Sequence, residues 1–531
     1  MGASLPLPKP VESTVVERQG SDDFYVAVAE MNGWRNSMED AHLILLRETY
    51  GVFGVFDGHG GGACSEFVAK RLGEELGAMG CPEAGEMKKL FHKVDQEFLD
   101  SAQTSGSTAT MCVVRNGPGA KRQLLVVNAG DSRVLLGRRD GSIVDGGGTD
   151  KGLTTDHKPD HPGEKSRIER CGGTVELAEG GVARVNGNLA VSRGFGDKEE
   201  KSTGGPGPEE RPVTVDPETG TFECDSSDFL LLVCDGVSEG NFPNTDVVKL
   251  VASLLREGKD LGEAVKAVCH KAVATDSKDN ITCMGVLLSG GSSSSKLEFN
   301  PGPVTSLGNK GFRTAYSAAA ERAGLSLVDA VMKRYDIVEK ELKANPNDSA
   351  LKEELGKLGV APAENRKEWF QKWLDELPEE NAGPGGMDME MLQNMMGGKG
   401  GGKGQGKSKG YGDEPSPAEP EEVEKEEDGY TWSQKGEEVH VAFKLPQPVT
   451  KKDVKIGFKQ ASISVLALGK NLLDGSLGGK VDTDCCTWYL VNGGTELNLT
   501  LTKQNAAVAN LALGFADGAC GGAILGTSSG R

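Results

Sequence analysis

Four aspartates in this sequence stand where apolar runs meet loops. Tyr50 to Phe56 leads directly into Asp57-Gly58-His59-Gly60-Gly61, and Leu124 to Val127 runs into Gly130-Asp131-Ser132-Arg133. Phe229 to Val233 is followed by Cys234-Asp235-Gly236, and Asp276-Ser277-Lys278-Asp279-Asn280 precedes the apolar run Ile281 to Leu288. A carboxylate at the end of a buried strand is costly unless it is protonated, paired or bound to a metal. Several together need cations among them. Oxygen donors without a nearby cysteine or histidine cluster suit hard ions such as magnesium or manganese. Gly58 and Gly236 let the backbone turn sharply beside such an ion, and Gly58 can present its carbonyl. A lone Asp-Gly is better explained by a β-turn. Four carboxylates at strand ends make a metal site the stronger reading, but the pattern alone names no reaction.

These carboxylates need a scaffold, and residues 23–290 read as mixed strand and helix. Residues 1–22 read as an N-terminal arm. Residues 291–312, from a Gly/Ser run to Asn300-Pro301-Gly302-Pro303, read as a flexible linker. Residues 313–380 are predicted to be helical. Leu327, Val331, Tyr335, Val338 and Leu342 share one helix face, and Asp348 caps a second helix carrying Leu351, Leu355 and Leu358. Trp369, Phe370, Trp373 and Leu377 mark a third. Ordinary packing explains these stripes better than partner binding. Residues 381–428 are low in complexity, with a Gly/Lys tract (Gly397 to Lys409) before an acidic run. They cannot bury enough apolar surface to offset chain entropy, which predicts a disordered linker. From Tyr430 the period changes to two: Val439, Val441, Phe443 and Leu445, then Val454, Ile456 and Phe458, then Ile463 and Val465, then Leu497, Leu499 and Leu501. That pattern predicts a small β-sandwich over 429–505, followed by a flexible tail, 506–531.

Composition narrows the classes. At a usual domain size of about 100–200 residues, the chain holds about two to four domains. The net charge of -20 argues against nucleic-acid binding, which needs excess Lys and Arg. Asp413 to Asp428 alone holds nine acids and one lysine, and a solvated linker explains this better than an acidic binding face. The 11 cysteines include no CxxC pair, and the adjacent Cys485-Cys486 does not suit zinc, so reduced thiols in the cytoplasm or nucleus are expected. No run approaches the roughly 20 apolar residues of a membrane span, and the N-terminus lacks a signal peptide's apolar core. Gly2-Ala3-Ser4-Leu5-Pro6 resembles a myristoylation site, but Pro6 stands where that motif wants Ser or Thr.

Residues 23–290 resemble the type 2C, or PPM-type, metal-dependent protein phosphatases through eight motifs in family order. They begin with Gly33-Trp34-Arg35-Asn36-Ser37-Met38-Glu39-Asp40-Ala41-His42 and Val55-Phe56-Asp57-Gly58-His59-Gly60-Gly61. Gly106-Ser107-Thr108-Ala109, Asn128 to Arg133 and Thr155-Asp156-His157-Lys158-Pro159 follow. The series ends with Gly187 to Arg193 and Gly196-Asp197, Cys234-Asp235-Gly236, and Asp279-Asn280. The resemblance implies an α+β fold, a central antiparallel β-sandwich flanked by helices. It also implies hydrolysis of phosphoserine and phosphothreonine on protein substrates, with two Mg²⁺ or Mn²⁺ ions and a third, weaker site. Asp57 would bridge two ions, and Gly58 would give a carbonyl oxygen. Asp235 and Asp279 would complete one shell; Glu39 would hold the other ion, supported by Asp40. A water bridging the two ions, about 3.5–4 Å apart, would attack phosphorus. Arg35 would grip the phosphate, its planar fork suiting two oxygens, and His59 would protonate the leaving alkoxide. A surface salt bridge for Arg35 and a structural histidine at His59 are the plainer alternatives. Asp131 and Glu239 would attend the third ion, although Val237-Ser238-Glu239 stands where the family commonly has Trp-Asp. The segment from Pro162 to Arg193 matches the family's variable flap beside the active site.

Residues 430–504 resemble a CS domain, the NudC-like sandwich used by co-chaperones. The resemblance rests on Tyr430-Thr431-Trp432-Ser433-Gln434, on Asp453 to Ile456 with Ile463-Ser464-Val465, and on Thr487-Trp488-Tyr489-Leu490. The tryptophan-rich finish of NudC proteins is absent after Lys503. By analogy this module would dock a chaperone or client protein, while core packing accounts for Trp432 and Trp488. The competing reading is a catalytically inactive phosphatase-fold adaptor. Carboxylates at every expected ligand position favour an active enzyme.

Overall fold

The computed structural model describes residues 7–117, 119–178, 181–291, 295–362, 364–378, 425–427, 430–435, 438–449, 453–459, 462–477, 481, 487–491, 495–502 and 513–515. The chain divides into two compact units, Met1–Gly398 and Lys399–Arg531.

Two antiparallel sheets form the centre of the first unit. One runs Lys296–Asn300, Val11–Gly20, Tyr25–Gly33, Ile281–Leu287, Phe229–Val233, Arg133–Gly137; the other runs Glu218–Asp225, Lys121–Ala129, Ala109–Asn116, Tyr50–Phe56, Ala41–Leu46. The central strands Tyr50–Phe56, Phe229–Val233 and Ile281–Leu287 read as continuous apolar runs because both their faces are covered. Val26, Val28, Phe53, Val55, Leu230 and Leu232 point into the layer shared by the sheets. The alternate residues Ala27, Ala29, Phe229, Leu231 and Val233 pack under helices Asn244–Arg256 and Leu261–Ala274. On the opposite side, Val52 and Phe56 lie under helices Ala63–Ala78 and Ala84–Leu99. A four-layered sandwich results, and the carboxylate-bearing loops lie at ends of its central strands.

The structure corrects two boundaries. The expected N-terminal arm contains a core strand: Val11–Gly20 pairs with Tyr25–Gly33 on one side and with Lys296–Asn300 on the other. The expected linker 291–312 holds that edge strand, the buried Val304 and Leu307, and the start of a helix, Lys310–Arg322, capped by the Asn309 side chain. Residues 292–294 lie outside the described residues. A five-residue edge strand with one buried apolar side chain, Phe299, gives too short a pattern to read. Helices Leu327–Ala344, Ser349–Leu358 and Arg366–Glu376 follow, with Ser326 and Asp348 capping the first two. Their stripes join Leu7, Val11, Val15, Phe299, Phe312 and Tyr316 in one core. A buried Arg334–Glu354 ion pair at 2.6 Å ties two of these helices together.

A fragment ending at residue 290 should therefore be less stable than one ending at 378. It leaves Leu7, Val11 and Val15 facing water, at a cost of about 1.5–3 kcal/mol for each large apolar side chain uncovered. Thermal melting and gel filtration of the two fragments check this; equal melting temperatures and monomeric elution of both would contradict it.

The second unit is a sandwich of two antiparallel sheets. Lys425–Glu427, Tyr430–Lys435, Glu438–Lys444, Glu496–Thr502 and Thr487–Val491 form one; Val454–Lys459, Ser462–Ala467, Lys470–Leu477 and Leu513–Phe515 form the other. Val439, Val441 and Phe443 lie opposite Leu501, Leu499 and Leu497, and all six join the core with Ile463 and Val465. The acidic linker thus contributes a short strand, Lys425–Glu427, and the expected tail contributes Leu513–Phe515. The Gly/Lys tract, most of the tail, Gly2 and Cys485-Cys486 lie outside the described residues. Among the described residues no helix is long and apolar enough to cross a membrane.

Candidate metal and phosphate site

Each carboxylate is delivered by a strand end and locked by backbone contacts. Strand Tyr50–Phe56 ends at Asp57, whose N–H donates to Thr108 Oγ1 at 3.1 Å while Thr108 N donates to the Asp57 carbonyl at 2.8 Å. The next position must be glycine. A Cβ on Gly58 would lie 2.1 Å from the Glu39 carbonyl oxygen, which also accepts from the Ser65 hydroxyl. Gly236, after Asp235, is under the same constraint, since its Cβ would lie 1.9 Å from the Asn280 carbonyl. Asn280 stitches the loop 32–39 in place: Nδ2 donates to Asn32 O and Ser37 O, and Oδ1 accepts from Glu39 N at 2.9 Å.

Two groups of potential ligand atoms result, each within 4.8 Å of one another: Asp40, Asp57 and Cys234, and Asp235, Glu239 and Asp279. Cys234 is committed elsewhere: its Sγ accepts from Thr282 N at 3.1 Å and lies 3.5 Å from Asn280 O, and burial pushes the thiol well up, so it stays protonated. Asp40 is buried, with Oδ2 accepting from Thr282 Oγ1 at 2.6 Å, while its buried Oδ1 has no hydrogen-bond partner among the described residues. Burial, aided by Asp279 and Glu30, raises Asp40 to about 7. Burial and neighbouring carboxylates hold Asp57 and Asp235 well above the usual range. Burial raises Asp279 as well, against the pull of Arg35. Among the described residues no lysine or arginine forms an ion pair with Asp40, Asp57 or Asp235. An orphaned carboxylate oxygen among crowded, desolvated, unpaired carboxylates fits hard divalent cations held by oxygen.

The remaining expected residues surround these groups. Glu39 accepts from Ser37 Oγ at 3.0 Å and from Gly61 N at 3.1 Å, outside both clusters. Glu239 belongs to the second cluster, but its Oε1 also accepts from Ser277 Oγ and Lys278 N, so it staples the loop that carries Asp279. The Arg35 side chain is half-exposed and its Nη2 meets Asp279 Oδ2 at 2.5 Å. Burial lowers its pKa, but Asp279, Glu39, Asp57 and Asp235 together raise it more. The buried Asp131 lies in neither cluster and is ion-paired with Lys158. His59 Nε2 meets Asp197 Oδ1 at 2.7 Å. Lys158 and Asp197 occur in the recognised motifs, but sequence reasoning gave them no role, because their partners lie 27 and 138 residues away. In the expected flap, helix Pro162–Arg170 is pinned by Glu164, which bonds Arg167, Ser192 and Arg193, and a short hairpin pairs Val175–Leu177 with Ala183–Val185.

Two stretches of the chain match known families. Residues 24–281 match the family described as Protein phosphatase 2C, and residues 428–503 match the CS domain. A probable protein phosphatase 2C 5 of Paramecium tetraurelia is 34% identical over 314 residues, covering 54% of this chain and 99% of that relative. Protein phosphatase 1A of Bos taurus is 32% identical over 306 residues, 53% of this chain and 75% of its own. A solved phosphatase from a pathogenic strain of Toxoplasma gondii is 29% identical and aligns with 54% of this chain and 99% of its own at a TM-score of 0.48. The chain belongs to the protein phosphatase 2C family. It is a metal-dependent protein serine/threonine phosphatase that also carries a CS domain.

Proposed function

We propose that the chain hydrolyses phosphoserine and phosphothreonine with two magnesium or manganese ions held by Asp57, the Gly58 carbonyl, Asp235, Asp279, Glu39 and Asp40, with Asp131 and Glu239 attending a third, weaker ion. Bound divalent ions supply positive charge against the carboxylates and make water a stronger acid near neutral pH. The observation that carries this reading is the desolvated group Asp40, Asp57 and Asp235, raised in pKa and, among the described residues, without a cationic side chain ion-paired to it. Arg35 stands beside Asp279 with its fork half in solvent, where it receives two phosphate oxygens. Asp279 restrains the guanidinium before substrate arrives. His59 gives a proton to the departing side-chain oxygen.

The full chain, given a phosphothreonine peptide and manganese, should release inorganic phosphate; EDTA should stop the release and added manganese restore it. No release, or release indifferent to EDTA, would reject the reading and favour the inactive adaptor. The CS domain is proposed to dock a chaperone or client protein, and a pull-down with residues 428–531 that recovers no chaperone would retire that role. The eight cysteines among the described residues are free thiols, which supports a reducing cytoplasmic or nuclear location.

A further inference from the structure

We propose that Asp197 is the positioning residue for His59: it fixes the imidazole through Nε2 and leaves Nδ1 as the atom that protonates the departing seryl or threonyl oxygen. The inference rests on the reading of His59 as the acid. A carboxylate only accepts, so in the 2.7 Å contact Nε2 carries the hydrogen and Asp197 Oδ1 receives it. The Asp197 side chain is 6% exposed, and its buried Oδ2 has no hydrogen-bond partner among the described residues. Among the described residues, its hold on the imidazole is therefore the one side-chain hydrogen bond this carboxylate makes.

The surroundings fix that carboxylate in place. Asp197 sits in left-handed backbone, φ 51°, directly after Gly196 at φ 72°. A buried ion pair supports the turn. Lys201 Nζ donates to Asp95 Oδ1 and to the Gly194 carbonyl, both at 2.7 Å, and Asp95 Oδ1 also accepts from Gly196 N at 2.8 Å. The Lys201 and Asp95 side chains are 2% and 5% exposed, so helix Ala84–Leu99 anchors the turn through charges that cannot separate without a large desolvation cost. The opposite side is closed by Gly106. A Cβ there would lie 2.2 Å from both His59 Nε2 and Asp197 Oδ1, so glycine is what lets the pair meet.

A water oxygen forms a bond to phosphorus, and the bond from phosphorus to the side-chain oxygen breaks with its electron pair remaining on that oxygen. That oxygen takes the proton from Nδ1, while Nε2–H stays on Asp197. The proton lost by the attacking water passes to solvent, and solvent returns one to Nδ1. A phosphothreonine peptide, with a strongly basic leaving oxygen, needs this proton; p-nitrophenyl phosphate, with a weakly basic one, does not.

The test measures kcat of the full chain at saturating manganese on both substrates. In Asp197→Asn the ratio of kcat on p-nitrophenyl phosphate to kcat on the peptide should rise about 10²-fold, the low end of what general acid catalysis contributes. His59→Gln should raise the same ratio at least as far. A selective His59→Gln beside an Asp197→Asn whose ratio is unchanged would overturn the positioning role and leave the acid reading standing. A His59→Gln with an unchanged ratio would overturn the acid reading and this inference with it. Should Asp197→Asn fail to fold by circular dichroism, Gly106→Ala, which forces the pair apart sterically, should raise the ratio in its place; an unchanged ratio there overturns the inference.

Discussion

Asp57→Asn in the full chain should release phosphate from a phosphothreonine peptide about 10³-fold more slowly than the parent, the scale of removing one group aimed at developing charge. It should also melt higher than the parent when both are stripped of metal. The two effects have one cause. Asp57 is desolvated and faces Asp235, Asp40, Asp279 and Asp131, so without cations its charge is a burden to the fold. Asparagine keeps the shape and removes the charge. The strand end does not depend on the carboxylate, because the backbone of Asp57 is held by Thr108 through both its N–H and its carbonyl. Phosphate release and calorimetry in EDTA read the two effects separately. Full activity in the variant would remove this carboxylate from the chemistry. A lower metal-free melting temperature would mean that its side chain supports structure instead.

The carboxylates that matter most were legible because their signal is local. Asp57, Asp235 and Asp279 each adjoin an apolar run buried on both faces, and the cost of a charge there can be argued from a dozen residues of sequence. The glycines carry equally local information, although the reason for Gly58 turned out to be the passing Glu39 carbonyl as much as the turn. What stayed hidden depends on contacts made far along the chain. Asp197 reaches His59 only because the turn at 194–197 is pinned to helix Ala84–Leu99 by the Asp95–Lys201 pair. Lys158 reaches Asp131 from a loop after the sheet's edge strand Arg133–Gly137, and no spacing rule announces it. The fold shows the same division. The period-two and helical stripes gave the sandwich and the last three helices. The edge strand Lys296–Asn300 escaped because one inward side chain makes no period, and helix Lys310–Arg322 began inside a segment whose glycines and prolines read as a joint. Glu239 lies between these cases: its carboxylate stands among the expected ligands, yet it also secures the loop backbone at Lys278, a second duty that sequence position cannot reveal.

Removing the metal should destabilise the protein far more at pH 8 than at pH 5.5. In the metal-free fold Asp40 titrates at about 7, against about 3.8 for an ordinary aspartate, and burial and like charge hold Asp57 and Asp235 well above the usual range. A carboxyl whose folded pKa is raised contributes stability that is fully present below its unfolded pKa and is lost as pH rises through its folded pKa. For Asp40 that window runs from about 4 to about 7. Cations reverse the balance, since they favour the ionised carboxylates that the bare fold penalises, while below the window protons compete for the same oxygens. The melting temperature in excess manganese minus that in EDTA should therefore widen from pH 5.5 to pH 8. With free metal at about a hundred times its dissociation constant the stabilisation is about 2.7 kcal/mol, or about 3–4 °C for a folded unit of this size. The difference between the two conditions isolates the site, because distant titrating groups shift both melts alike. Asp57→Asn should show a narrower gap at pH 8 than the parent. A gap in the parent that is constant across pH, or that shrinks as pH rises, would mean that these carboxylates do not hold the ions.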